Sequence, residues 1–238
     1  MNNKWQASWR PLRCRHATPQ IMCNGARKQG DLDVTDGARP DRGANLVVIS
    51  GPSGVGKSTV VRELLQRRPE LLFSVSATTR SPRGKEVDGA DYYFISRAEF
   101  QKRIDQERFI EHAEVFGNLY GTPVEELQKA RRSGRSLLLE IDVQGGLQIR
   151  RKFPAALLVL IVPPSLEVLR SRLAGRGTES PEALAARCAM AERELDLARR
   201  SKAYDREVVN DDLQTAVRQV EELIREHRRM HDDRSLEE

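Results

Sequence analysis

The sequence is poor in aromatic side chains, in cysteine and in long apolar runs. Phe, Tyr and Trp make up 5% of its 238 residues, and both tryptophans, Trp5 and Trp9, fall within the first ten positions. The folded part is therefore expected to contain no tryptophan. The three cysteines, Cys14, Cys23 and Cys188, are odd in number and form no C-x-x-C pair. A disulfide framework and a thiolate zinc site are both unsupported, and a reducing compartment is the natural reading. The longest apolar run, from Ala155 to Val162, stops at Pro163-Pro164. That is strand-sized and far below the ~20 residues of a membrane-spanning helix. A basic stripe interleaved with aromatics, the pattern of a nucleic-acid groove, is missing as well.

Acidic residues are missing from the first thirty positions. Lys4, Arg10, Arg13, Arg15, Arg27 and Lys28 all precede the first acid, Asp31. Residues 1–43 show no strand or helix period and end in a run of Gly, Pro, Asn and Asp. Such a segment cannot bury enough apolar surface to offset its ordering entropy and is expected to be disordered. It lacks the apolar stretch of a secretory signal. Its Arg-rich start fits an organelle transit peptide, and an over-long reading frame with Met22 as the true start fits equally. The net charge of the chain is +5, with an isoelectric point near 9.3. An anionic partner is implied, but nucleic acid, a membrane surface and a polyphosphate all satisfy that condition.

From Asn45 the pattern changes. Leu46-Val47-Val48-Ile49 is a β-branched apolar run typical of a buried parallel strand. Comparable runs recur at Leu71–Val75, Leu137–Ile141, Leu157–Val162 and Val208–Val209. Helical patterns alternate with them at Lys57–Arg68, Val124–Arg132, Val143–Lys152, Ser165–Leu173, Pro181–Ser201 and Asp212–His227. Strands alternating with helices imply an α/β fold, a parallel sheet with helices on both faces. Ser76 to about Gly121 breaks the alternation. It is rich in Thr, Arg, Gly and Tyr, holds one clear helix (Arg97–Glu107), and reads as an insertion at one edge of the sheet.

Gly51-Pro52-Ser53-Gly54-Val55-Gly56-Lys57-Ser58 fits G-x-x-x-x-G-K-[ST] between a buried strand and a helix. In this motif backbone N–H groups curl around phosphate oxygens, the lysine reaches the β- and γ-phosphates, and the hydroxyl ligates Mg²⁺. Thr59 continues the same turn, and the helix directs its positive end at the anion. Leu137–Asp142 is an apolar strand ending in carboxylates. Its Glu140 or Asp142 is expected to help hold Mg²⁺, Asp142 through a water. Arg80 and Arg83 flank Pro82, a spacing that lets two guanidinium groups grip one phosphate; a solvated loop surface also fits. Tyr92 and Tyr120 would add hydroxyl donors.

Taken in order, the P-loop, Ser74–Arg80 (SVSATTR), Phe109-Ile110-Glu111, Gly117–Thr122 (GNLYGT), Glu140–Gly145 (EIDVQG), Gly175–Thr178 (GRGT) and Val209-Asn210-Asp211 resemble the guanylate kinases. The likeness runs from about Asn45 to the last helix. It implies a P-loop NTPase-type core within residues 44–228, a mixed α/β GMP-binding insertion at about 76–128 and a short helical lid at about 164–200. Residues 229–238 would form a charged tail. Ser76, Arg80, Arg83, Tyr92, Glu111, Tyr120, Thr122 and Glu140 match positions that surround GMP. Arg172, Arg176 and Arg187 match positions that close over ATP phosphates, and Asn210 one near adenine. The implied reaction moves the γ-phosphoryl of ATP onto GMP, and onto dGMP, with Mg²⁺. The implied partners are these nucleotides, with no nucleic acid and no membrane, in a cytoplasmic monomer or small homo-oligomer.

Chemistry supports the guanine assignment. Guanine presents two adjacent donors, N1–H and the 2-amino group, and the Glu111 carboxylate can accept both. Adenine has a lone pair at N1 and would leave a buried carboxylate unpaired. Thr122 and Ser76 hydroxyls can donate to O6 or N7. A surface acid beside His112 is the bland reading of Glu111. Two features depart from the family pattern: Gly84-Lys85-Glu86 follows Arg83, and position 140 carries Glu where some members have Asp. The longer Glu140 arm can shift its contact from the nucleotide to a metal-bound water. The acceptor phosphate is already ionised, so no general base is needed, and catalysis rests on positioning and on charge from Lys57, Arg172 and Arg176. A phosphopeptide-binding domain without catalysis, a nucleic-acid ATPase and a kinase for another small phosphate ester remain as alternatives at this stage.

Overall fold

The computed structural model describes residues 46–175 and 181–234. The extension at 1–43, the expected lid residue Arg176 and the last four residues lie outside the described residues. The core is a parallel sheet of five strands: β1 (Leu46–Ser50), β2 (Leu71–Phe73), β7 (Ser136–Glu140), β8 (Leu157–Val162) and β9 (Arg206–Val209), in the order β2-β7-β1-β8-β9. Strand residues alternate between the two faces. Val47, Ile49, Leu138, Val159 and Ile161 face one apolar cluster. Leu46, Val48, Leu137, Leu139 and Leu158 face the other. Both faces are dry, so the strands read as continuous apolar runs rather than alternating ones.

On the first face lie α1 (Lys57–Arg67), α5 (Leu166–Ala174) and α7 (Leu213–Arg234), through Val60, Leu64, Leu169, Leu173, Val217 and Ile224. On the second lie α3 (Val124–Ser133) and α4 (Val143–Lys152), through Leu127, Ala130 and Ile149. The long α6 (Pro181–Ser201) joins both groups, Ala191 packing with the first and Leu195 and Ala198 with Val143, Leu160 and Val162. The chain leaves β1 through α1 to one side and later reaches β8 on the other side. Ligands bind α/β sheets at such a switch point, beyond the carboxyl ends of the strands.

The region after Phe73 forms a second sheet that strand-length patterns do not reveal. Its strands are β3 (Ala77–Thr78), β4 (Tyr93–Phe94), β5 (Phe109–Val115) and β6 (Asn118–Pro123), in the order β4-β3-β6-β5. Two of them are only two residues long. Helix α2 (Arg97–Asp105) starts at Ser96, whose hydroxyl accepts from Glu99 N at 3.1 Å. It buries Phe100 fully against Phe109, with ring centroids 4.4 Å apart. The C-terminal helix also runs further than its apolar period suggests. It continues to Arg234, through residues expected to form a tail. No Gly or Pro interrupts 213–234, and a helix already nucleated by packing propagates at small further cost.

Tyr204 links the two ends of this core. Its hydroxyl donates to Ser50 Oγ at 2.8 Å, at the end of β1. A Cβ on Gly146 of α4 would stand 2.3 Å from that hydroxyl oxygen. Gly146→Ala is expected to destabilise the protein by about 1–3 kcal/mol through overpacking. In a Tyr204→Phe background the same substitution is expected to cost measurably less, because the closest clash is gone. Urea unfolding of the two single variants and the double variant checks this.

Candidate active site

The P-loop turns at the end of β1. Gly51 has φ of 142°, and a Cβ there would lie 2.3 Å from the Ile161 carbonyl oxygen of β8. Gly56, the residue before α1, has φ of 93°, and its Cβ would meet Asn210 Nδ2 at 2.4 Å. Only glycine fits both the backbone and the space. Behind the loop, Asn210 Nδ2 donates to the Val55 carbonyl at 2.7 Å and is buried with it. Lys57 Nζ donates to the Gly51 and Pro52 carbonyls at 2.5 and 3.0 Å. The first turn of α1 holds no acidic residue, so the positive end of the helix is uncompensated there.

Above the loop is a cavity of about 280 Å³, lined among others by Gly51, Ser53, Gly54, Gly56, Lys57, Ser58, Thr59, Glu140, Asp142 and Arg187. Ser58 Oγ donates to Glu140 Oε1 at 2.5 Å. Among the described residues no cluster of three or more His, Cys, Asp or Glu could cage a metal. Mg²⁺ in nucleotide sites needs no cage. It keeps several waters and takes one or two protein oxygens plus phosphates. Ser58 with Glu140 and Asp142 nearby fits that donor set.

A second cavity of about 300 Å³ opens towards the smaller sheet, lined by Ser76, Arg83, Tyr92, Glu111, Tyr120 and Glu140 among others. Tyr92 and Tyr120 meet edge-on with centroids 6.0 Å apart. Glu111 stands opposite Thr122 in the β5–β6 register. It accepts from the Thr122 hydroxyl at 2.7 Å and from the Thr122 N–H at 2.9 Å. Both residues are buried. Burial pushes the Glu111 carboxyl up to about 7, against the pull of those bonds and of Lys152, with the Asp142 charge pushing the same way as burial. Gly145 of α4 makes room for it, since a Cβ there would lie 2.5 Å from Glu111 Oε2.

The two cavities share Ser53, Lys57, Phe116, Glu140, Asp142 and Arg187 among their walls. Asp142 also caps α4, accepting from Gly145 N at 2.8 Å, and burial raises its carboxyl above the usual range. Arg187 Nη2 donates to Ser53 Oγ at 3.0 Å. Several expected residues stand elsewhere. Arg80 lines neither cavity. It is clamped by both Glu86 oxygens at 2.9 Å, with its guanidinium over the Tyr92 ring. Arg80 is thus tied to Glu86 of the turn that follows Arg83, while Arg83 itself lines the second cavity. Thr122 touches Glu111 rather than either cavity, and Asn210 braces the loop from behind rather than reaching a cavity wall. Arg172, on α5, lines neither, and its Nη1 is buried without a hydrogen-bond partner among the described residues.

Sequence reasoning missed three residues. Ser74, buried in the wall of the second cavity, has a hydroxyl with no partner among the described residues. Phe116 stands between the cavities. Glu194 faces the first cavity, where burial lifts its carboxyl to about 7 against the pull of Lys57. Helical spacing was a usable signal for Glu194, since Met190, Ala191 and Glu194 follow Arg187 at i+3, i+4 and i+7 and line the same cavity.

The guanylate kinase family model matches residues 43–227. A guanylate kinase of Gloeobacter violaceus is 53% identical over 181 residues, covering 76% of this chain and 87% of that one. One from Rubrobacter xylanophilus is 49% identical, covering 77% and 95%. The crystal structure of guanylate kinase from Anaplasma phagocytophilum matches with a TM-score of 0.63 at 34% identity, over 78% of this chain and 86% of that one. Motifs, double cavity and relatives agree, and the chain belongs to the guanylate kinase family.

Proposed function

We propose that this enzyme transfers the γ-phosphoryl of ATP to GMP, and also to dGMP, giving ADP and the guanosine diphosphate. The observation that carries the reading is a pair of cavities sharing Lys57, Asp142 and Arg187, one floored by the P-loop and the other by buried Glu111. ATP occupies the first with its phosphates on the 51–58 loop. GMP occupies the second, its base on Glu111 and Ser76 and its phosphate on Arg83, Tyr92 and Tyr120. Thr122 aims Glu111, and Arg80 stiffens the Arg83 turn through Glu86. Residues 76–128 act as the acceptor-binding insertion and 164–200 as the lid, whose Arg172, Arg176 and Arg187 approach the triphosphate. One chain holds both cavities, so a monomer suffices. We place the reaction in the cytoplasm, where ATP and GMP are both available and Cys188 stays a free thiol.

A phosphate oxygen of GMP attacks the γ-phosphorus in line. The new P–O bond forms as the bond to the β-phosphate oxygen of ADP breaks, and no proton has to be removed first. Ser58, with Glu140 or Asp142 through water, would hold Mg²⁺ beside ATP, where it would supply positive charge against the phosphates. Lys57 leaves the Gly51 and Pro52 carbonyls for the β- and γ-oxygens, while Arg187 spans the junction. These groups stabilise charge that spreads over the transferring group.

An acceptor panel of GMP, dGMP, AMP, UMP and CMP with ATP, run on the full chain and on residues 41–238, tests the reading. GMP and dGMP are expected to be the productive acceptors, and failure to form GDP would leave only the family assignment. Glu111→Gln is expected to weaken GMP by ten- to a hundredfold or more while ATP binding stays within a few-fold.

The Glu111 carboxyl also sets a pH dependence. Guanine needs the ionised form, so below pH 7 binding must first remove a proton from the empty site. GMP affinity is expected to fall by up to about tenfold per pH unit below 7. Calorimetry on the wild type minus Glu111→Gln separates this slope from titration of the GMP phosphate. Stability moves the same proton. The native carboxyl holds it up to about 7, and the unfolded one releases it near 4.5. Between those values the native state binds more protons, so the contribution of Glu111 to stability falls as pH rises and is flat above. Urea midpoints of wild type and Glu111→Gln across pH 4.5–8 are expected to show that difference.

A further inference from the structure

Phe116 sits at the tip of the β5–β6 hairpin in an unfavourable setting. Its φ is 49° and that of Gly117 is 76°. Two positive φ values in a row describe a turn that favours Asn or Asp before Gly, and a bulky aromatic there is uncommon. Its side chain is 51% exposed. Neither feature helps the hairpin itself. What the ring touches is Arg187, whose guanidinium carbon lies 5.6 Å from the ring centroid. That arginine also donates to Ser53 of the P-loop, and both Phe116 and Arg187 line both cavities.

We propose that Phe116 is a positioning residue for Arg187, an aromatic platform that holds the guanidinium at the junction of the two phosphate cavities. The inference rests on the kinase reading above and deepens it. A stacked guanidinium presents its face to the ring and keeps its in-plane N–H groups for oxygens. Stacking therefore limits the rotamers of a long side chain without using the donors that phosphates need. Arg187 belongs to α6, whereas Phe116 ends the strand pair that carries Glu111 and Tyr120. The contact consequently ties the guanine-reading hairpin to the lid helix, and loading of the acceptor cavity bears on where the lid cation stands.

The test uses the full chain and two readouts: affinity for a non-hydrolysable ATP analogue without acceptor, by calorimetry, and kcat with ATP and GMP. Phe116→Leu, which keeps apolar bulk but loses the ring face, is expected to lower analogue affinity and kcat by roughly two- to fivefold each. Its melting temperature is expected to stay at the wild-type value. Phe116→Tyr is expected to restore both readouts. In an Arg187→Ala background Phe116→Leu is expected to add nothing. Wild-type values for Phe116→Leu, or an equal loss when Arg187 is absent, would overturn the proposal. A wild-type chain that binds the analogue but makes no GDP would instead remove the kinase reading, and the binding arm would still decide the platform.

Discussion

Two phosphate esters repel each other, and a site that brings them together needs cations that neither drift into solvent nor seal the cleft. Lys57, Arg80 and Arg187 around this cleft are each held by protein groups. Lys57 lies on the carbonyls of its own loop. Arg80 is clamped by Glu86, and Arg187 is seated between Ser53 and the Phe116 ring. Neutral carbonyls, a hydroxyl and a ring face hold a cation more weakly than a carboxylate does. Lys57 lies on two such carbonyls and also pulls on the Asp142 and Glu194 carboxyls, and Arg187 has a hydroxyl and a ring face. Arg80, which lines no cavity, has a bidentate carboxylate clamp, the firmest hold of the three.

The carboxylates follow the opposite logic. Glu111, Asp142 and Glu194 are all raised by burial. Lys57 pulls Asp142 and Glu194 back towards ionisation, and the Thr122 donors do the same for Glu111. In the proposed complex the guanine edge would add further donors to Glu111, so the ionised carboxylate and the bound base favour each other.

The parallel sheet and most of its helices were legible because β1, β7 and β8 are buried on both faces and read as apolar runs, whereas the edge strand β9 is mostly exposed. The P-loop was legible because its glycines are dictated by local backbone shape. The smaller sheet was not, because β3 and β4 are two residues long and owe their pairing to β6 and the loop around Asp88 and Tyr92. Within the site, the family resemblance singled out Glu111 and the chemistry of guanine gave it a role, and the structure buries it in the wall of the second cavity. Arg80 was expected at the acceptor phosphate and Asn210 near adenine; in the structure Glu86 holds Arg80, and Asn210 braces the Val55 carbonyl behind the P-loop. A pattern records that a residue type is required, but a required brace and a required ligand contact leave the same trace. Phe116 left no trace, since its partner is seventy-one positions away on another element.

The first turn of α4 shows how closely the two cavities are bound together. Asp142 caps that turn through Gly145 N and forms part of the wall of both cavities. Three residues on, the missing side chain of Gly145 leaves the space that Glu111 Oε2 occupies. One residue further, Gly146 clears the way for the Tyr204 hydroxyl that reaches Ser50, the residue just before the P-loop. The Asp142 carboxylate, the Glu111 carboxylate and the Ser50 anchor therefore all depend on five consecutive residues at one helix start. A shift of this turn would move all three at once, so the geometry linking the two cavities rests on a helix start as well as on the loops that carry the charges.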